Sequence, residues 1–195
     1  MTIGVTNAGP DCEQLHVLPT LWYRNTWSWD VGSAAPTLAA TAAGTVAVEH
    51  PFLGELELLP GPAPQSGGPE LLFCDNETNV ARLYEVTGAS RWPKDGINDH
   101  VVSGADTVNP QRRGSKCAAW YRLTVASGAT VELRLRLRRA GTGPDPDTAL
   151  GADFTWVVDQ RRAEADEFYA GLTPVAASAD EAAVMRQAFA GALSR

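Results

Sequence analysis

Through the first two thirds of the chain, apolar and polar residues alternate in short runs broken by Gly, Pro, Asn and Asp, the period of two that belongs to strands. The clearest case is Tyr121, Leu123 and Val125 answered by Val131, Leu133, Leu135 and Leu137 across a Ser127-Gly128 turn, which predicts a β-hairpin with one apolar face. The other face of the return strand carries Glu132, Arg134, Arg136 and Arg138, a largely basic ladder suited to solvent or to an anionic partner. Further strands are predicted at Thr2–Thr6, 14–23, 45–48, 55–59 and Glu70–Cys74, and several short strands at such spacing point to a sandwich. Pro19 removes a ladder donor inside the second of these, so that strand should bend, bulge or lie at an edge. Residues 22–29 read as an aromatic-rich corner, and the Gly- and Pro-rich stretch 60–69 reads as a loop.

From residue 153 onward the period becomes helical. Phe154, Val157, Val158, Ala165, Phe168 and Tyr169 fall largely on one stripe, with Arg161, Arg162, Glu164 and Glu167 mostly outside it. Ser178 stands three residues before Glu181, a capping-box spacing, and Met185, Phe189 and Leu193 then supply the stripe of a second helix. That helix reaches Ser194-Arg195 with no glycine cap, and Met1 leads almost at once into a strand, so both ends read as cut rather than finished. The expected class is mainly β: an incomplete antiparallel sandwich over residues 1–150, followed by a helical segment over 151–195.

The 195 residues suffice for a sizeable core, and 44% hydrophobic with 20% charged residues is ordinary for a globular chain. A formal net charge of -7 works against polyanions, so nucleic acid is not expected as a partner. The chain opens with no basic or apolar leader and nowhere holds an apolar run long enough to span a bilayer, which predicts a soluble, cytoplasmic protein with no membrane partner. Cys12, Cys74 and Cys117 are odd in number and far apart, so neither a disulfide framework nor a zinc site is suggested. His16, His50 and His100 are equally scattered, and nucleotide-binding and zinc-hydrolase motifs are absent from the sequence. No cofactor and no metal are expected.

Three segments could carry chemistry. Trp22, Trp27 and Trp29 stand beside Arg24 and Asn25, residue types that stack on sugar rings and bond their hydroxyls, although tryptophans more often fill cores or domain interfaces. Asp75, Glu77 and Asn79 follow an apolar strand and, if extended, project to one side. Such a row could be an acid-base pair for glycoside cleavage, a calcium site, or a set of side chains that hold a loop. Lys94, Asp95, Asn98 and Asp99 surround Gly96 and suit a surface turn or one approaching a ligand.

Read in order, several runs resemble glycoside hydrolase family 63, specifically its bacterial glucosidase-like and mannosylglycerate-hydrolase-like members. They begin with Val5-Thr-Asn-x-Gly-Pro10 and with Leu15 to Trp29, which ends in Arg-Asn-Thr-Trp-Ser-Trp. Asn76-Glu-Thr-Asn79, Lys94-Asp-Gly-Ile-Asn98 and Arg161 to Tyr169 continue the likeness over nearly the whole chain. The resemblance implies a two-part enzyme, with a twisted supersandwich ahead of an α/α barrel that cleaves α-glucosides or related glycosides with inversion. It places the acid and base in the barrel, so no catalytic residue is transferred to this chain. The chain would be an internal fragment, with the Ser178 helix as the first of the barrel. Arg24, Asn25, Trp27, Trp29, Asp75, Glu77, Asn79, Lys94, Asp95 and Asn98 would lie at the rim of the sugar pocket or at the interface with a barrel in cis or in trans. Missing strands would favour self-association. Asp30 in place of a glycine, and Cys74-Asp75 in place of Thr-Glu, depart from the pattern. The expected role is a non-catalytic sandwich that supports the barrel. Its rivals are a stand-alone carbohydrate-binding module, a complementation subunit of a split glycosidase, and a small active glycosidase using Asp75 and Glu77.

Overall fold

The computed structural model describes residues 1–29, 32–64, 66–87 and 90–193, the Leu193 side chain excepted. Asp30, Leu193 as a stripe residue, and Ser194-Arg195 therefore lie outside the described residues. The chain divides into two compact units, Met1–Pro146 and Asp147–Arg195.

The first unit is mainly β. Its strands are β1 (Thr2–Thr6), β2 (Glu13–Val17), β3 (Thr20–Trp22), β4 (Thr37–Ala40), β5 (Val46–His50), β6 (Gly54–Pro60), β7 (Glu70–Cys74), β8 (Arg113–Gly114), β9 (Lys116–Val125) and β10 (Thr130–Arg139). Helices α1 (Val80–Tyr84) and α2 (Gly96–Ser103) fall between β7 and β8. Every pairing is antiparallel. One sheet has six strands in the order β1-β10-β6-β5-β4-β8; in the other, β9 has β2 and β3 along one edge and β7 along the other.

Alternation of side chains explains the packing. Leu38, Val46, Val48, Leu58, Leu133 and Leu135 of the larger sheet meet Leu71, Phe73, Cys117, Ala119, Tyr121, Leu123 and Val125 of the smaller in one buried cluster. The opposite face of the smaller sheet is covered too: Leu72, Cys74, Ala118 and Trp120 pack with Ile97 of α2 and, more loosely, Val101. The Lys94 to Asp99 segment is accordingly the entry to a helix and not a surface turn; Ile97 and Val101, four apart, supply the apolar face that seats it. Gly96 is required there, because a Cβ on it would lie 2.2 Å from the Thr107 carbonyl oxygen and 3.3 Å from Cys74 Sγ.

β2 and β3 form one strand interrupted by Pro19. Glu13 pairs with Val125 and Trp22 with Lys116, so the register against β9 does not slip across the break. The Pro19 carbonyl still accepts the Ala119 amide at 2.9 Å, but proline has no donor to return, and the ladder lapses at that point on an edge strand. The basic ladder of β10 is largely tied up by carboxylates: Arg134 bonds Glu132 at 2.8 Å, and the mostly buried Arg138 bonds Glu57 at 3.1 Å and the Pro144 carbonyl at 2.7 Å. Leu137, expected on the core face, is instead 46% exposed.

The second unit is helical: α3 (Pro146–Leu150, its first residue shared with the sandwich unit), α4 (Ala152–Leu172) and α5 (Ala179–Leu193). Phe154, Val157, Val158, Ala165 and Tyr169 are, with Asp153, the less exposed positions of α4, while Phe168 is exposed. Arg186 of α5 bonds Asp166 of α4 at 2.6 Å and lies over the Tyr169 ring. The capping box is formed: Glu181 takes the Ser178 amide and hydroxyl, both at 2.8 Å, and the Glu181 amide donates back to Ser178 Oγ at 3.3 Å. The backbone and hydroxyl hydrogen bonds from Ser178 hold the Glu181 pKa below the ordinary glutamate value. Its contribution to α5 is present above that ordinary value and is lost as pH falls through the depressed one. A carbon-13 titration should find Glu181 with a midpoint below that of an unbonded glutamate, and Ser178→Ala should raise it. An unchanged midpoint in the variant would contradict the box.

Candidate functional site

At one end of the sandwich, the exit of β7 meets the corner that follows β3. Asn25 and Asn76 clasp the two segments reciprocally: Asn25 Nδ2 donates to the Asn76 carbonyl at 3.0 Å, and Asn76 Nδ2 donates to the Tyr23 carbonyl at 2.8 Å. Asn25 Oδ1 also accepts the Ser28 amide at 3.2 Å, which closes the corner that presents Trp27. Trp27 Nε1 then donates to Glu77 Oε1 at 2.8 Å, fixing the indole and the carboxylate together.

A third segment locks the same exit from the other side. The Asp75 amide donates to the Trp92 carbonyl at 2.7 Å and the Lys94 amide to the Glu77 carbonyl at 3.0 Å. Ser90 Oγ donates to Asp75 Oδ2 at 2.7 Å. The buried Ser115 hydroxyl accepts the Asn76 amide at 2.8 Å. Beyond it, Asn109 organises the loop into β8: its Oδ1 accepts the Gln111 amide at 3.0 Å and its Nδ2 donates to the Arg113 carbonyl at 2.7 Å. Arg112 adopts a left-handed φ of 53° in that loop, and its carbonyl accepts the Ala40 amide at 3.0 Å.

These segments border an open cleft of about 440 Å³, lined by Trp27, Asp75, Glu77, Asn109, Gln111, Arg113 and Ser115 together with Ala35, Pro36, Thr37 and Gly114. It offers one indole, two carboxylates, a guanidinium, two amides and two hydroxyls, a lining that combines acceptors and donors with an apolar ring.

Of the residues singled out from the sequence, Trp27, Asp75 and Glu77 line this cleft and Asn25 braces it from behind. Asn79 does not join Asp75 and Glu77, because the chain leaves the extended conformation after β7 and Asn79 caps α1, accepting the Arg82 amide at 3.0 Å. Its Nδ2 instead donates to Asp95 Oδ2 at 3.0 Å, and Arg82 links Asp95 to Asp99 in a polar cluster between the two short helices. Lys94 Nζ donates to Thr78 Oγ1 at 3.2 Å, and its carbonyl accepts Lys116 Nζ at 3.0 Å. Burial pushes the Lys116 ammonium pKa down, partly opposed by the neighbouring Cys74. Arg24 stacks over the exposed Trp29 ring at 5.0 Å, and Asn98 stands exposed beside Asp99 at 3.2 Å. Asn109, Gln111, Arg113 and Ser115 were not anticipated. The run Asn109-Pro-Gln-Arg-Arg-Gly114 immediately ahead of an apolar strand is the turn signal that would have drawn notice to them.

Fold and site together define an antiparallel β-sandwich with a polar, tryptophan-bearing cleft at one end and a separate helical unit after it. The chain is 30% identical over 216 aligned positions to a Saccharomyces cerevisiae protein named "Uncharacterized protein YMR196W". The alignment takes in 94% of this chain but only 19% of that protein, so the chain spans about a fifth of its relative's length. No family model matches the chain, and no solved structure matches it.

Proposed function

We propose that this chain is the non-catalytic sandwich part of a larger glycoside hydrolase acting on α-glucosides or related glycosides, and that its cleft contacts the sugar. The observation that carries the reading is the Trp27–Glu77 pair: an apolar ring face held by a carboxylate, in a cleft whose other walls are amides, hydroxyls, a second carboxylate and Arg113. A pyranose presents an apolar face ringed by hydroxyls, each both donor and acceptor, and such a lining satisfies both. The two carboxylates already accept hydrogen bonds from Trp27 and Ser90, which suits them to orienting hydroxyls. Glycoside cleavage asks for one carboxyl to deliver a proton and a second to activate water or attack across the bond. The small share of the yeast relative that this chain represents fits a module whose chemistry lies elsewhere.

Calorimetry with maltose and methyl α-glucoside tests this. Binding is expected with the chain alone, weakened about tenfold or more by Trp27→Ala and less by Glu77→Gln. Absence of binding would remove the cleft's role. Release of glucose from an aryl α-glucoside by the purified chain, abolished in Glu77→Gln, would make it an enzyme and overturn the non-catalytic assignment.

A further inference from the structure

The cleft does not end at Thr37. Ala35 and Thr37 also border a second hollow of about 400 Å³, which continues to Glu49, His50, Pro51 and Glu55. Pro36 and Leu38 are buried, so alternation turns Ala35 and Thr37 away from the core, and a methyl group is all that Ala35 raises between the two hollows. All of these residues belong to the sandwich unit.

Strand pairing sets the direction of the extension. Thr37 pairs with Glu49 and Glu49 with Glu55, a row across β4, β5 and β6 that spans about 10 Å at the usual strand spacing. That is longer than one pyranose ring. Glu49 and Glu55 are exposed and directly opposite each other, an arrangement that repels, and neither has a cation partner among the described residues. Their oxygens are acceptors left open to the hydroxyls of a ligand.

The turn between β5 and β6 adds a donor and an aromatic face. His50 Nδ1 accepts the amides of Phe52 and Leu53 at 3.1 and 3.2 Å, which leaves the proton of the neutral ring on Nε2. The same turn holds Phe52 90% exposed, its ring centroid 6.2 Å from that of His50, and His50 in turn stands edge-on to Tyr23 at 4.6 Å. Tyr23 ties this row to the cleft, since its carbonyl accepts Asn76 Nδ2 within the clasp that presents Trp27.

We propose that the cleft is the first of at least two sugar subsites and that its ligand is an oligosaccharide chain, running from Trp27 over Ala35 and Thr37 to Glu49 and Glu55 and toward the Phe52 ring. The inference rests on the sugar-binding reading of the cleft and adds the length and direction of what is bound. Both hollows offer the same set of groups: an aromatic face, a pair of carboxylates and a nitrogen donor, Arg113 in the first and His50 in the second. A single sugar ring fills only one of them.

Calorimetry of the full 195-residue chain with methyl α-glucoside and with maltopentaose tests the extension. A one-ring site gains at most about fivefold from a five-ring chain, through the number of rings on offer, whereas subsites engaged together gain more. Maltopentaose should bind about thirtyfold tighter or better, and in Phe52→Ala and Glu55→Gln that ratio should fall back toward about fivefold. Glu55→Gln should not lower the melting temperature, because it relieves the repulsion with Glu49, so its loss of affinity is not a loss of fold. In amide NMR spectra, maltopentaose should move Thr37, Glu49 and Gly54, which methyl α-glucoside leaves in place. A ratio of about fivefold or less, or one that survives both substitutions, would overturn the extended groove while Trp27-dependent binding of methyl α-glucoside kept the cleft as a sugar site. Absence of binding by either sugar would overturn both.

Discussion

Gly114→Ala is expected to destabilise the sandwich by about 3 kcal/mol and to dismantle the cleft with it. β8 is held from two sides: Gly114 pairs with Leu38 of β4 and lies directly on the end of β7. A Cβ at this position would stand 2.3 Å from the Cys74 carbonyl oxygen and 2.8 Å from its carbon. Those are main-chain atoms of a strand whose residues are almost entirely buried, so no side chain can swing away to make room. β8 must lift, and it takes Arg113 and Ser115 with it. The Ser115 hydroxyl then leaves the Asn76 amide, and the Asn25–Asn76 clasp that presents Trp27 loses its anchor.

Urea denaturation followed by near-ultraviolet circular dichroism measures the loss, and the tryptophan signal reports the corner. Gly171→Ala is the matched control. Nothing lies within 4 Å of its Cβ position in α4, so relief of glycine's backbone entropy should make that variant more stable by about 0.5–1 kcal/mol. Equal stability of Gly114→Ala and the unaltered chain would mean that the close approach of β7 and β8 is not a constraint in solution.

The elements that could be read from the sequence are those whose pattern is local. β1 and β7 match the expected spans, and the hairpin of β9 and β10 shows its inward row at Tyr121, Leu123, Val125, Leu133 and Leu135. The Ser178–Glu181 spacing names a hydrogen-bond exchange within four residues, and the exchange is there. β4 is not legible because Thr-Leu-Ala-Ala has only one large apolar residue, Leu38, and becomes a strand through its pairing with β5 and β8. α2 is not legible because eight residues anchored by Ile97, Val101 and the His100 ring make a helix only where a sheet face, here Ala118 and Trp120, is waiting to be covered.

The site divides in the same way. Trp27 and Glu77 were each conspicuous, but that one donates to the other across fifty positions is a tertiary fact. Only an extended chain would set Asn79 on one side with Asp75 and Glu77. Capping α1 satisfies an otherwise orphaned amide, and that local demand prevailed. The wall from Asn109 to Ser115 is brought in by the pairing of β8 with β4, which no local pattern encodes.

Stability is expected to fall steeply above about pH 8.5, by several kcal/mol at pH 10.5, for reasons seated in the core. Cys74 and Cys117 are fully buried, and burial pushes each thiol pKa up to about 12. Tyr121 is buried between the sheets with its hydroxyl donated to the Gly61 carbonyl at 2.8 Å, and burial raises it to about 12 as well. All three are acids that the fold keeps protonated, whereas in the unfolded chain the thiols ionise near 8.5 and the phenol near 10. The unfolded state therefore binds fewer protons in this window, so the stabilisation is whole below the unfolded values and drains away as pH climbs toward 12. Tyr23, raised by desolvation, acts in the same sense, while Lys116, lowered by burial, acts in the opposite one. Two thiols and a phenol outweigh one lysine, and a loss of that size is comparable to the total stability of a small domain. Urea midpoints at pH 7.5, 9 and 10.5 measure the slope. Cys117→Ala should be less stable at pH 7.5, through the small cavity it leaves, yet show a shallower alkaline decline because one of the titrating groups is gone. A midpoint that stays level from pH 7.5 to 10.5 would show that these groups meet water in the folded protein and that the two sheets are not packed as tightly as Cys117, Tyr121 and Phe73 imply.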